Sequence, residues 1–486
     1  MAADIVVQGE MERFSLNGLN ANAATEVFER VRVSYCSLLQ SPQVQALPDG
    51  HDHTCCYPHG SGTGRVAIKL LYVSLLLLTI IVPSYAANLE VGPGKSFSSI
   101  QAAVNGAQPG DTVLVYPAVY NEQVATVRAG ANGNYIVIKA AGPGVVLDPQ
   151  GGGDGFLINR HSYIAIEGFT IQGASRTNAW GGAINCQSSH YLILRNNVII
   201  DTLGGTGGGS NPQTGVGDLN IENCDNLLME NNRALSRNAD YNLGTWWSEN
   251  MVIRGNEFAG ALRYPVKLSA LSQNVLFERN YVHTDRTGTN NGQHFNFFFR
   301  DSSGGTVRHN VFDARGSDAF SAGELYDYSC DDREDHEVYN NVFIHDRGGR
   351  SAVRWTCQEG TYFRNNIVVS TWAAHEFVFD PSDVTIDYDV HSAPTEYSNG
   401  VGATIRGGAS NRRGSPDFVG TGTLPSPYFR LQAGSPAIDG GDPVTPRGVD
   451  YDGLAVPKGV CVDIGAFEYG DAVPPASPIR LRLGGP

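Results

Sequence analysis

The chain has 486 residues, with 34 Lys+Arg against 49 Asp+Glu and a formal net charge of −15. That balance argues against nucleic acid as a partner, and the chain shows no zinc-ligand spacing, phosphate loop or arginine-rich arm. At ~150 residues per domain the length would suggest two to four domains. A repeat array escapes that rule, because one stack can absorb some hundreds of residues.

Residues 1–64 carry no repeat and read as an unstructured or wrongly assigned extension. The cluster His51-Asp-His-Thr-Cys-Cys56 fits no standard zinc spacing. Residues 66–82 are mostly apolar, follow Arg65 and contain Lys69, and Ser84-Tyr85-Ala86 comes next as a small-x-small cleavage pattern. This is the layout of a signal peptide over 65–86, with a short signal anchor as the alternative. Cleavage implies secretion or a periplasmic or cell-surface location, a mature end near Ala87, and no membrane contact thereafter.

Phe97, Ile100, Val104 and Ala107 fall on one helical face, and Pro109-Gly110-Asp111 stops the helix. Strand-like Thr112-Val-Leu-Val-Tyr116 follows. From there to about residue 390 a short pattern recurs: an apolar alternation, a polar residue, a turn residue, and another apolar pair. Copies include YLILRNNVI from Tyr191, NMVIRGNEF from Asn250 and NVLFERNYV from Asn274. Aligned on the turn residue, the positions are Gly168, Asn197, Asn232, Asn256, Asn280, Asn310, Asn341 and Asn366. A fixed core with elastic spacing is a repeat whose insertions lie in loops. The alternation is that of a strand with one buried face, and Asn tolerates a left-handed turn. Copies stacked at ~4.8 Å would bury a shared core and align the asparagines as a ladder.

This pattern resembles the right-handed parallel β-helix of the pectin lyase-like superfamily. The resemblance implies an all-β solenoid over 87–395, with a helical cap at its amino-terminal end, as in pectin methylesterases. Residues 396–470 resemble the carboxyl-terminal module of secreted bacterial β-helix proteins and read as a distal cap. A Pro-rich tail fills 471–486.

Removing the signal leaves five of eight cysteines. Cys186 with Cys224, and Cys330 with Cys357, lie about one repeat apart and read either as disulfides of an exported protein or as stacked buried thiols. Cys461 is left over.

A second strand precedes each ladder strand. If Val266 and Leu268 point inward, Lys267 points out; Phe297 and Phe299 likewise turn Arg300 out. By the same alternation Asn185, Asn220, Glu222, Asn242 and Arg354 face outward. The result is a polar stripe with a cationic centre in an acidic protein, suited to an anionic sugar chain. Abstraction of the proton beside a uronate carboxylate needs a base and positive charge to stabilise the enolate. A Lys depressed by a neighbouring cation can be that base. Val266-Lys-Leu-Ser269 and Phe298-Phe-Arg300 also resemble the Lys and Arg strands of the lyases that include chondroitinase B and alginate lyases. That resemblance implies Lys267 as base and Arg300 as acid or charge stabiliser. The family's acidic calcium ligands precede its Lys, whereas Gly260-Ala-Leu-Arg-Tyr-Pro265 has no carboxylate.

Trp246, with Trp247, is placed to stack on sugar rings, and Glu222 and His294 to bind substrate. His283, Asp285 and Asp301 are further acid–base candidates. Asp285, Asp301 and Asp318 offer the carboxylate pair of a glycoside hydrolase. Asp327, Asp331, Asp332, Glu334 and Asp335 form an oxygen-rich insertion able to hold Ca2+ or simply to be solvated. The expected function is that of a monomeric, exported polysaccharide lyase on a uronate polymer. A glycoside hydrolase and a non-catalytic sugar-binding surface protein are the alternatives, and the metal is unknown.

Overall fold

The computed structural model describes residues 2–7, 10–15 and 86–470, the last without 176–180, 204–215, 270–271, 284–294, 317–320, 328–333, 348, 380–381, 399–401 and 446. The chain divides into two units, Met1–Val82 and Pro83–Pro486. In the first, Ala2–Val7 pairs antiparallel with Glu10–Ser15, where the sequence suggested no structure. Residues 65–85 of the signal segment lie outside the described residues. Among the described residues no helix is long and apolar enough to cross a membrane.

The second unit is a right-handed parallel β-solenoid of about 11 turns. Its three sheets have 13, 12 and 11 strands, each hydrogen-bonded to its counterpart in the next turn. A turn runs from the 11-stranded sheet to the 13-stranded, around the asparagine corner, and on to the 12-stranded sheet. Gly181–Gln187, Leu192–Arg195 and Val198–Ile199 are one such turn. The pairing is parallel because successive copies are separated by crossovers rather than hairpins. The inward rows are mainly aliphatic in the early turns, with Phe156 and Phe169 as a single aromatic pair. The rows become aromatic later, where Phe277, Phe297, Phe312, Phe343 and Phe363 pack ring against ring inside the stack.

Asn197, Asn232, Asn256, Asn280, Asn310, Asn341 and Asn366 stack at one corner, all 2% exposed or less. Each Oδ1 accepts from the backbone N–H of the preceding ladder residue, as in Asn256 N to Asn280 Oδ1 at 2.9 Å. Each Nδ2 donates to a backbone carbonyl of the preceding turn, as in Asn280 Nδ2 to Ile253 O at 2.9 Å. The ladder runs beyond the sequence reading, to Asp389 and Asn411. Two details correct that reading. The left-handed residue is the one before each ladder position, as at Asn196 (φ 57°) and Arg279 (φ 54°). Gly168 (φ 81°) therefore aligns with Asn196, and Phe169 holds the ladder place, its N–H donating to Asn197 Oδ1.

The helix spans Ile100–Gly106 and buries Ile100, Ala103 and Val104. The Ser99 side chain accepts from Ala102 N. The Glu122 carboxylate accepts from Ile100 N and Gln101 N, satisfying the free N–H groups of the first turn. Residues 396–470 were expected as a distal cap. Thr404–Gly407 and Arg412–Arg413 instead continue the 13- and 12-stranded sheets, and the contacts after residue 414 run along the outer face of the 12-stranded sheet. Phe429, Leu431, Ala437, Ile464 and Phe467 bury Tyr281, Val311, Val342, Ile367 and Val390 there.

Of the expected disulfides, Cys186 and Cys224 are buried free thiols. Hydrogen bonding between them and burial push the Cys186 thiol up. Cys357 is disulfide-bonded, and Cys330, its expected partner, lies outside the described residues.

Candidate active site

Lys267 sits on Tyr264–Ser269 and Arg300 on Phe295–Arg300, adjacent parallel strands of the 11-stranded sheet. Val266, Leu268, Phe297 and Phe299 are buried at 1% exposure or less, which turns both cations to the outer face. The register opposes Lys267 to Phe298, so Arg300 lies two residues further along its strand. Strand spacing and rise put the two Cα atoms roughly 8 Å apart. This offset takes up two of the three residues by which their distances to Asn280 and Asn310 differ.

The Lys267 ammonium lies 5.5 Å from the Trp246 ring centre and 5.6 Å from that of Tyr264. Among the described residues it has no ion pair. Burial and the Arg300 charge pull it down to about 8, against an opposing effect of Asp240. Arg300 Nε is 3.1 Å from Asp301 Oδ2, and its guanidinium lies 5.6 Å from the Tyr326 ring centre. Gly244, one strand before Lys267, permits this arrangement: a Cβ there would collide with the rings of both Trp246 and Tyr241.

Along the outer row, Glu324 and Arg354 follow at the second and third strands after Lys267. Arg354 is held between Glu324 (3.5 Å) and Glu376 (3.2 Å). Burial raises the Glu324 carboxyl to about 7, opposed by Arg354 and Thr356. Glu324, Tyr264, Arg263 and Asp240 were not anticipated. In Ser321-Ala-Gly-Glu-Leu-Tyr326 the inward place in line with Val266 and Phe297 is Gly323. A Cβ at Gly323 would come 2.9 Å from the Phe343 ring, so the core itself removes the apolar signal that marks a strand.

Other expectations fall differently. Asn242 is fully buried and faces no groove: its Nδ2 donates to Asp218 Oδ2 and Ser236 O, and its Oδ1 accepts from Ala261 N. The alternation fails there because Tyr241 takes the outer side, with its hydroxyl on Asn220 Oδ1. Asn185 and Asn220 do lie in the outer row but are buried and bonded to one another. Glu222 aligns with Trp246, in the row that leads to Arg300. Trp247 is 51% exposed at the adjoining corner. His283 belongs to the 12-stranded sheet and pairs with Glu257 at 3.2 Å. Burial favours a neutral Glu257, but hydrogen bonds from His283 and Arg233 hold it at about 2. His294, Asp285, Asp318, Asp331 and Asp332 lie outside the described residues. Within the acidic insertion, Glu334 is raised to about 7 by burial and accepts from Glu359 N. Among the described residues, metal-type donors converge elsewhere, at His375, Asp389 and His391 inside the stack.

A family described as "Right handed beta helix region" matches residues 154–343. The solved structure of pectate lyase Pel9A is similar at 17% identity and TM-score 0.50, covering 81% of this chain and 98% of that one. The lacto-N-biosidase from Eubacterium ramulus, of group GH136, is similar at 13% identity and TM-score 0.49, covering 71% and 70%. The surface protein and adhesin PfbA of Streptococcus pneumoniae follows at 13% and 0.37, covering 63% and 94%. No curated protein sequence matches the chain. The fold is thus a right-handed parallel β-helix, and at these identities the likeness extends to the fold alone.

Proposed function

We propose that this protein is an exported polysaccharide lyase acting on a uronate-containing polymer. One observation carries the reading: an outward Lys267 without an ion pair among the described residues, its basicity lowered to about 8 by burial and by Arg300, beside the rings of Tyr264 and the buried Trp246. Arg300 would bind the uronate carboxylate through its planar fork. Neutral Lys267 would take the proton from the carbon beside that carboxylate. The C–H electrons form the ring double bond as the bond to the glycosidic oxygen breaks. The departing oxygen takes a proton from Lys267 or from Glu324, whose carboxyl is half protonated near pH 7.

The raised Glu324 also favours a second reading, a glycoside hydrolase with Glu324 as acid and a nearby carboxylate as its partner. A non-catalytic sugar-binding role is the third. The Ile100–Gly106 helix is read as the cap of the first turn. Export rests on the signal-like segment over 65–86 and its small-x-small pattern at Ser84-Tyr85-Ala86. Ala87 N already donates to the buried Asp111 at 2.8 Å, a partner a free α-amino group would keep.

Purified protein is incubated with a panel of polyuronates, with and without Ca2+, following absorbance at 235 nm and reducing ends together. Absorbing product establishes elimination. Reducing ends without absorbance establish hydrolysis, and neither signal on any polymer leaves the binding role.

A further inference from the structure

The asparagine ladder has one acidic member. Asn366 is followed by Asp389, and then Asn411 resumes the series. From Asn197 to Asn366, all seven positions present an Nδ2 donor to a backbone carbonyl. Asp389 puts a carboxylate oxygen in that place, and among the described residues its Oδ2 has no partner. Two histidines point to the same spot. His375 continues the inward row after Val353, and His391 the inward row after Val368. The three residues are 2% exposed or less. His375 Nε2 and both His391 ring nitrogens also lack hydrogen-bond partners among the described residues. One ligand atom from each residue lies within 4.8 Å of the others.

Four unsatisfied polar atoms in an otherwise apolar lumen are costly, and native interiors fill such places. We propose that His375, Asp389 and His391 bind one divalent metal ion of the zinc class, which ties the last turns of the stack together. Two neutral imidazoles and a carboxylate are a ligand set typical of that class. Tetrahedral ligands at zinc lie about 3.3 Å apart, so the side chains must draw in by an ångström or more. His391 Nε2 is 3.5 Å from Glu396 Oε1. Ligation through Nδ1 leaves that second nitrogen to donate to a carboxylate, the usual outer partner of a metal-bound histidine. His375 Nδ1 accepts from Trp355 Nε1 at 3.1 Å, which keeps the proton of the neutral ring on Nε2. Metal uptake through Nε2 must displace that proton and break the indole hydrogen bond. Loading is thereby coupled to Trp355, and one neutral hydrogen bond is a small loss against three ligand bonds.

A competing state needs no metal: a protonated Asp389 can mimic asparagine and donate to the carbonyl. Asp389→Asn separates the two, because asparagine fills the neighbouring ladder positions and the variant keeps the fold. The mature protein is produced in zinc-containing medium, dialysed, and analysed by elemental mass spectrometry. We expect about one zinc-class ion per chain, falling to below ~0.1 in Asp389→Asn and in His391→Ala. Chelation of the wild-type protein should also change indole emission, and Trp355→Phe should remove that change. Wild-type protein that holds no metal and shows no emission change when unfolded and refolded with zinc overturns the proposal. So does Asp389→Asn protein that retains the metal.

Discussion

Lys267 could be placed from sequence because Val266 and Leu268 flank it with two inward residues. Its depressed basicity could not, since that depends on which charges the next strand brings alongside. The pH dependence follows. Elimination requires the neutral amine, so the rate should rise with pH through about 8 and then level. Arg300→Ala should lower the rate at least ~10-fold, and by removing a neighbouring positive charge it should move that limb to higher pH. A limb that stays in place would show that Arg300 does not act on Lys267. Glu324 gives a stability counterpart. Its folded-state value of about 7 exceeds the ordinary 4.5. The folded chain therefore holds a proton that the unfolded chain has lost between those values, and stability falls as pH rises through them. Glu324→Gln lacks this penalty. Relative to wild type it should gain ~1–3 kcal/mol at pH 8 compared with pH 4, measured by chemical denaturation. An equal difference at both pH values would contradict the assignment.

The strand–turn–strand element was the most legible feature of the chain, because a period of two next to a recurring Asn leaves few other folds. The off-by-one at Gly168 has a physical source. Glycine and asparagine both suit a left-handed residue, so sequence alone cannot say which of the two adjacent positions turns and which stacks. Asn280 makes the ladder's worth measurable. Its Oδ1 accepts from Asn256 N and Nδ2, and its Nδ2 donates to Ile253 O. Asn280→Ala leaves those buried groups unsatisfied and should cost ~2–4 kcal/mol, read as a lower urea midpoint. The outer face of the 13-stranded sheet carries a second ladder that was not anticipated. Glu167, Arg195, Glu230, Arg254, Glu278 and Arg308 occupy one cross-strand row with alternating charge. Arg308 reaches Glu278 at 2.6 Å and Arg254 reaches Glu230 at 2.8 Å. The alternation becomes visible only once the register is known, because loops of unequal length separate the members.

At the scale of the molecule, the apolar rows end in a stack that needs cover on its flank. The segment after residue 414 supplies it along the 12-stranded sheet. Its short apolar pieces have no period, so sequence could mark it as a separate module but could not say which surface it covers. Deleting residues 415–470 should expose Tyr281, Val311, Val342, Ile367 and Val390 and raise the apparent mass by self-association relative to the full chain, detected by light scattering after size exclusion. The long outer face of the 11-stranded sheet suits a chain-like substrate lying across successive strands, with Lys267 and Arg300 at its middle. The most direct test compares wild-type and Lys267→Ala proteins on one polyuronate at pH 8, following the unsaturated product at 235 nm. Wild-type protein should form it and the variant should not, with both showing the same thermal unfolding. Equal absorbance from the two proteins would contradict Lys267 as the base.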